Sequence, residues 1–154
     1  ADFVITSYPL LRRDGALYKD IDFDYIVVPE AKVLPMVQSV CTILGDRDFV
    51  VFRKGVKAYM VNPIETSVKS ITTLAVQKMV VDGVDADKIR GKKVLLMDDV
   101  VSTGGTFHAM EKLLADLDCK IVGYAAALRE GTDFSSDNLY YIQELPIFVG
   151  ALGE

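Results

Sequence analysis

The stretch Val94-Leu-Leu-Met-Asp-Asp-Val-Val-Ser-Thr-Gly-Gly-Thr106 decides the fold, because its character changes twice over a short distance. Val94 to Met97 is an apolar run with no polar interruption, the pattern of a strand buried on both faces of a parallel sheet. Two adjacent carboxylates would be costly inside such a sheet, so Asp98 and Asp99 belong at its exit, facing solvent, a metal or hydroxyl groups. Ser102, Thr103, Gly104, Gly105 and Thr106 then supply hydroxyls and unhindered backbone N–H groups. They stand just ahead of an amphipathic helix that carries Phe107, Met110, Leu113, Leu114 and Leu117 on one face. Glycine lets the backbone approach a ligand closely, and a helix N-terminus offers unpaired donors with a positive partial charge. Ligands of open α/β sheets bind beyond the carboxyl ends of the strands, so the stretch reads as a strand feeding a phosphate-cradling loop.

Three further runs outside it have the same near-continuous apolar character: Asp24-Tyr-Ile-Val-Val-Pro29, Asp48-Phe-Val-Val-Phe52 and Lys120-Ile-Val-Gly-Tyr-Ala-Ala-Ala-Leu128. Val33, Leu34, Val37, Val40, Cys41 and Leu44 follow a helical rhythm between the first two. Strand, helix, strand, repeated, predicts an α/β fold: an open, mainly parallel sheet flanked by helices with right-handed crossovers. From Ala58 to Gly91 this rhythm breaks. Asn62 to Ser70 is polar and lacks a period, which predicts a mobile loop; Ile71 to Val81 is Thr- and Val-rich, which predicts an extended arm ending at the turn signal Asp82-Gly83. A loop over Arg129 to Asp137, a strand at Leu139-Tyr-Tyr-Ile and a closing segment, Pro146 to Val149, complete the chain.

With 154 residues and 51% apolar content the chain suffices for one sizeable core, so residues 1–154 are expected to form a single domain. Charged residues make up 25% and the net charge is -5, which argues against a nucleic-acid partner yet leaves a locally basic site for a small anion feasible. Cys41 and Cys119 lie far apart in apolar contexts and suggest neither a zinc cluster nor a redox pair. No apolar run approaches the roughly 18 residues of a membrane span, and no charged leader opens the chain. The expectation is a cytoplasmic protein without a membrane partner. The chain is already strand-like by Phe3-Val-Ile, so native residues are expected upstream of Ala1, a substrate-contacting piece among them.

Taken singly, Asp98-Asp99 would be a solvated strand end and Gly104-Gly105 a plain turn with a helix cap. Their combination in this order suits a ligand with a phosphate at one end and vicinal hydroxyls or a bound Mg²⁺ near the other, as in a 5-phosphoribosyl group. Neither G-x-x-x-x-G-K-[ST] nor G-x-G-x-x-G occurs, and the aspartates of a receiver domain should not run into a Gly-Gly-Thr nest. Leu95 through Thr106 resembles the phosphoribosyl-pyrophosphate-binding signature of type I phosphoribosyltransferases. The likeness extends from about Tyr25 to Val149 and is closest to the purine, adenine phosphoribosyltransferase-like branch.

That resemblance implies a type I phosphoribosyltransferase fold with an extended flexible arm and a small hood from the chain ends. It also implies roles. Asp98 and Asp99 would hold the ribose hydroxyls, directly or through Mg²⁺, and Ser102 to Thr106 would wrap the 5'-phosphate. Glu30, Ala31 and Lys32 occupy the place of the pyrophosphate loop, joined there by Arg53, Lys54 and Lys57. Asp98, Asp99, Arg53 and Lys54 are the candidate catalytic residues, and Asp98 and Asp99 the candidate metal ligands. Thr66, Ser67, Lys69 and Ser70 stand in the place of the catalytic flexible loop, and Val101, Leu128 and Arg129 in that of base contacts. Val33 departs from the pattern: it stands where the pyrophosphate loop usually has glycine, and valine disfavours the backbone angles glycine permits, so the loop is built differently or handles pyrophosphate differently.

His108 shares a helical face with Glu111 and Lys112, opposite the apolar stripe, and is read as solvated rather than as a general base. The implied reaction displaces pyrophosphate from C1 of phosphoribosyl pyrophosphate by a nitrogen of a purine base, adenine first among them, in a homodimer. The competing expectation is a non-catalytic sensor of the same donor, which the missing glycine favours and the absence of an attached DNA-binding segment disfavours.

Overall fold

The apolar runs become four strands of one five-stranded sheet. The computed structural model describes residues 18–69 and 76–146; the Phe3 region, Ser70, the closing segment after Pro146 and the hood expected from the chain ends lie outside them. Within the described residues the elements are β1 (Tyr25–Pro29), α1 (Leu34–Ile43), β2 (Phe49–Phe52), β3 (Ile64–Lys69), β4 (Val76–Val81), α2 (Gly83–Ile89), β5 (Lys93–Val101), α3 (Gly105–Ala115), β6 (Lys120–Glu130) and β7 (Leu139–Leu145). Five strands pair in the order β2-β1-β5-β6-β7, every neighbouring pair parallel, while β3 and β4 form a separate antiparallel pair.

Alternation along the strands divides the core into two layers. Ile26, Val28, Leu95, Met97 and Ala125 meet Met36, Val37, Val40 and Cys41 of α1 on one face. Val27, Val94, Leu96 and Ala126 meet Phe107, Met110, Leu113 and Leu114 of α3 on the other, together with Met79 and Val81 of β4 and Ile89 of α2. Both faces are therefore covered, which is why these strands read as unbroken apolar runs rather than alternating ones. The connection through α1 leaves β1 towards β2, and that through α3 leaves β5 towards β6. The order of the sheet thus reverses between β1 and β5, opening a crevice above their carboxyl ends.

Two expectations between residues 58 and 91 are corrected. Ile64–Lys69 is a strand rather than a mobile loop: it pairs along its length with β4, from Ile64 opposite Val81 to Lys69 opposite Val76. Its alternate polar residues have no apolar face to reveal it, and the pairing partner supplies the order instead. Asp82-Gly83 is the start of α2, not a hairpin turn. Asp82 Oδ1 accepts hydrogen bonds from Val84 N at 3.2 Å and Val61 N at 3.1 Å, capping the helix and anchoring the chain that leads into β3. A Cβ on Gly83 would lie 2.5 Å from the Val61 carbonyl oxygen, so glycine serves close backbone approach here. Arg129 and Glu130 likewise belong to β6, and the loop begins at Gly131.

Candidate active site

The carboxyl ends of β1, β2 and β5 and the middle of β4 surround a cleft of about 720 Å³ lined by Pro29, Glu30, Ala31, Lys32, Lys54, Lys78, Met79, Asp98, Asp99, Val100 and Thr106. A smaller hollow of about 180 Å³ adjoins it, bounded by Asp98 and by Val100 through Phe107. Asp98, Val100 and Thr106 belong to both. A ligand spanning the two spaces would pass over this shared rim.

β5 carries the acids further into the sheet than the sequence suggests. The strand continues to Val101, Asp98 pairs with Ala126 of β6, and Asp98 is only 9% exposed. Its Oδ1 accepts a hydrogen bond from the Asp99 N–H at 2.8 Å. Burial, and after it the neighbouring Asp99 carboxyl, push Asp98 up to about 7, which makes it a group that gains from a hydroxyl or cation partner. Two carboxylates are too few to enclose a divalent ion, and among the described residues no three such side chains gather. They do fit an Mg²⁺ that draws its other ligands from substrate oxygens and water.

Past Val101 the chain forms the cradle. Gly104 has φ 76°, a left-handed conformation suited to glycine, and caps α3; the first helical bond runs from His108 N to Gly104 O at 2.9 Å. The amides of Gly105, Thr106 and Phe107 precede that bond and have no partner within the helix, as an anion site at a helix start requires.

The basic wall is assembled from separate pieces. Glu30 holds it together: its Oε2 accepts from Arg53 Nη1 at 3.2 Å, and its Oε1 accepts from the Lys54 N–H at 2.9 Å and lies 3.7 Å from Lys57 Nζ. The Lys54 amide, then Arg53 and Lys57, keep the Glu30 carboxyl below its ordinary range against the opposing effect of burial. Arg53 is thereby turned onto Glu30, and neither it nor Lys57 lines the cleft; Lys32 and Lys54 do. The backbone of Arg53 also bridges to Val80, with N–H···O distances of 2.7 and 2.8 Å, which seats the root of β4 against β2.

The place of the missing glycine has a simple resolution. Val33 has φ -73° and ψ -15°, ordinary right-handed angles, and is 1% exposed in the core beside α1. The Glu30–Ala31 peptide is cis, and Val33 O accepts the Val37 N–H at 2.9 Å to begin the helix. The loop therefore needs no left-handed residue at position 33. With that, the observation that favoured a sensor over an enzyme falls away.

Other candidates are placed differently from expectation. Val101 is 3% exposed, part of the core, and touches only the smaller hollow; Val100 is the residue that opens to the main cleft. Thr66 and Ser67 sit in β3 opposite Met79 and Lys78 and line neither space, and Lys69 closes the pairing at Val76. Leu128 and Arg129 lie in β6 beside Val100 and Val101. The Arg129 guanidinium lies 5.3 Å from the Tyr141 ring centre, with Nη1 donating to Tyr141 Oη at 3.4 Å and Nε buried without a partner. His108 is exposed and pairs with Glu111 at 3.0 Å. The cleft residues missed from sequence are Pro29, Lys78, Met79 and Val100. Lys78 forms an ion pair with Glu65 at 2.6 Å; its one signal was a lone cation ahead of the apolar run Met79-Val-Val81.

Comparison with known proteins agrees with this geometry. The chain is 33% identical over 115 residues to a hypoxanthine/guanine phosphoribosyltransferase of Methanosalsum zhilinae, covering 75% of this chain and 56% of the relative. It is 32% identical over 109 residues to an adenine phosphoribosyltransferase of Caldicellulosiruptor saccharolyticus, covering 71% and 59%. The chain thus spans under three fifths of the length of these curated relatives. Its fold matches the crystal structure of the adenine phosphoribosyltransferase from Thermoanaerobacter pseudethanolicus with TM-score 0.75 at 19% identity, over 90% of this chain and 80% of that one. The enzyme of Giardia lamblia, complexed with 9-deazaadenine, matches with TM-score 0.74 at 21% identity, over 90% and 79%. The model of the phosphoribosyl transferase domain matches residues 14–146, and the chain belongs to that family.

Proposed function

We propose that the protein transfers the 5-phosphoribosyl group of phosphoribosyl pyrophosphate to a nitrogen of a purine base, releasing pyrophosphate. The observation that carries this reading is the shared rim: Asp98, Val100 and Thr106 join a phosphate-sized hollow at a helix start to a larger cleft whose far side bears Lys32, Lys54 and Lys78. In this reading the amides and hydroxyls of Ser102 to Thr106 hold the 5'-phosphate. Asp98 and Asp99 accept hydrogen bonds from the ribose hydroxyls and fix the sugar's orientation. Lys32 and Lys54 neutralise the leaving group as the C1–O bond breaks and the C1–N bond forms, the kind of preorganised charge that most enzymes rely on. Mg²⁺, oriented by Asp98 and Asp99, would add positive charge at the leaving oxygens when bound.

Resemblance to the adenine branch favours adenine among the bases, while relatives named for adenine and for hypoxanthine/guanine match alike. Arg129 carries donors only, which suit a ring nitrogen of adenine and the oxygen of a 6-oxopurine alike. The experiment is a panel: the protein with donor, Mg²⁺ and adenine, hypoxanthine, guanine or xanthine in turn, assayed for pyrophosphate and nucleotide. Turnover with one base supports the reading and names the substrate; donor binding without pyrophosphate release would replace it by the sensor. The homodimer expectation finds support in Val56, Tyr59, Val61 and Val84, large apolar side chains that are 53 to 62% exposed, and sedimentation tests it.

A further inference from the structure

Parallel strands usually need a crossover of a dozen or more residues, commonly a helix. β6 and β7 are joined by residues 131–138 alone, so this connection is drawn directly across the α3 side of the sheet. Its one buried residue is Phe134, 6% exposed and part of the α3-side core. The ring lies against the phosphate cradle from behind: a Cβ built on Gly104 would collide with Phe134 Cδ2. The Phe134 N–H also donates to Ser102 O at 3.2 Å. The cradle is thus touched at its start and at its helix cap by one residue of another element.

Phe134 is itself held in place. Its ring centre lies 5.3 Å from Phe107 and 5.2 Å from Tyr124, both in tilted or edge-on geometry, with His108 at 5.7 Å. Tyr124 Oη donates to Glu111 Oε1 at 2.6 Å, and the other Glu111 oxygen faces His108 Nδ1 at 3.0 Å. Two turns of α3, the middle of β6 and the short crossover are therefore joined around the ring through Phe107, His108, Glu111 and Tyr124, none of which lines the main cleft. Gly104 at φ 76° has no side chain of its own to hold it, so its conformation depends on what packs against its Cα.

We infer that Phe134 is a positioning residue for the donor's 5'-phosphate: its ring fixes Gly104, and through it the direction of the Gly105 to Phe107 amides. The inference rests on the phosphoribosyl reading above. It predicts a defect confined to the phosphate end of the donor. Isothermal titration with ribose 5-phosphate and steady-state kinetics would be run on wild type, Phe134→Ala, Phe134→Leu and Phe134→Tyr, with thermal melts as a fold check. Expected are about tenfold weaker ribose 5-phosphate binding and a matching rise in donor KM for Phe134→Ala, a smaller change for Phe134→Leu, and near wild-type values for Phe134→Tyr, with kcat and base KM held. Should Phe134→Ala fail to fold, Phe134→Leu carries the comparison. The inference is overturned if the folded Ala or Leu variants bind ribose 5-phosphate as wild type does, or if kcat and base KM suffer as much as donor KM. Failure of the wild type to bind ribose 5-phosphate would instead remove the phosphoribosyl reading and this inference with it.

Discussion

The acid-and-hydroxyl side of the cleft, Asp98 to Thr106, comes from one unbroken stretch of chain, whereas the basic side takes Lys32 from the end of β1, Lys54 from the end of β2 and Lys78 from β4. The first is anchored in the sheet, with Asp98 buried and paired to β6. The second is exposed and held by two carboxylates: Glu30 gathers Arg53, the Lys54 amide and Lys57, and Glu65 pairs with Lys78. One side is preorganised by the fold; the other is preorganised by ion pairs and hydrogen bonds to these acids. Positioning ribose and phosphate should therefore tolerate less change than handling the leaving group.

The comparison can be broken most directly at Asp98 and Asp99. Replacing both by Asn is expected to lower kcat/KM by at least about 10³-fold while leaving the melting temperature undiminished, since the change relieves a buried charge. Retained turnover would dissolve the assignment of that side. Lys32→Ala and Lys54→Ala should each cost about 10- to 100-fold, with Lys57→Ala within about threefold, because only the first two line the cleft. If Lys57 proved as important as Lys54, the basic side would have to be redrawn.

A smaller test concerns Val33. Changing it to Gly should destabilise the protein by about 2–3 kcal/mol through lost burial and added backbone freedom, with no gain in turnover. Denaturant unfolding with an activity assay checks both; a more active variant would restore the idea that valine impairs the loop. The smallest effect is a slope. Asp98 has a folded value raised from 3.8 to about 7, so its contribution to stability is fully present below about 4 and is lost as pH rises through about 7. Melting temperatures measured across that window without divalent ions should fall more steeply for wild type than for Asp98→Asn.

Much of this was legible from the sequence where function and fold share one local pattern. The run from Val94 to Met97 had to be a doubly buried strand with the glycines beyond its exit, whereas the acids proved to lie within the strand's paired end, Asp98 buried opposite Ala126. β3 was not legible, because Glu65, Thr66 and Ser67 owe their order to pairing with β4 rather than to an apolar face. Asp82-Gly83 misled because the same dipeptide serves a turn and a helix cap; only the approach of Val61 distinguishes them. The roles of Glu30 and Lys78 depend on strand order, which brings the ends of β1, β2 and β5 together across long separations. Position 33 shows the converse: the departure from glycine is visible in the sequence, but the ordinary right-handed angles of Val33 follow from its place at the start of α1.

The reversal of strand order between β1 and β5 bears on how this site could be re-engineered. Loops leaving these neighbours run in opposite directions, while the register of Ile26 with Leu95 and Val27 with Leu96 is set by backbone pairing below them. Residues 30–33, which leave β1, can therefore be grafted from one homologue and residues 102–104, which leave β5, from another without either transplant meeting the other's anchor points. Chimeras of that kind would separate the inheritance of the proposed leaving-group loop from that of the proposed phosphate cradle.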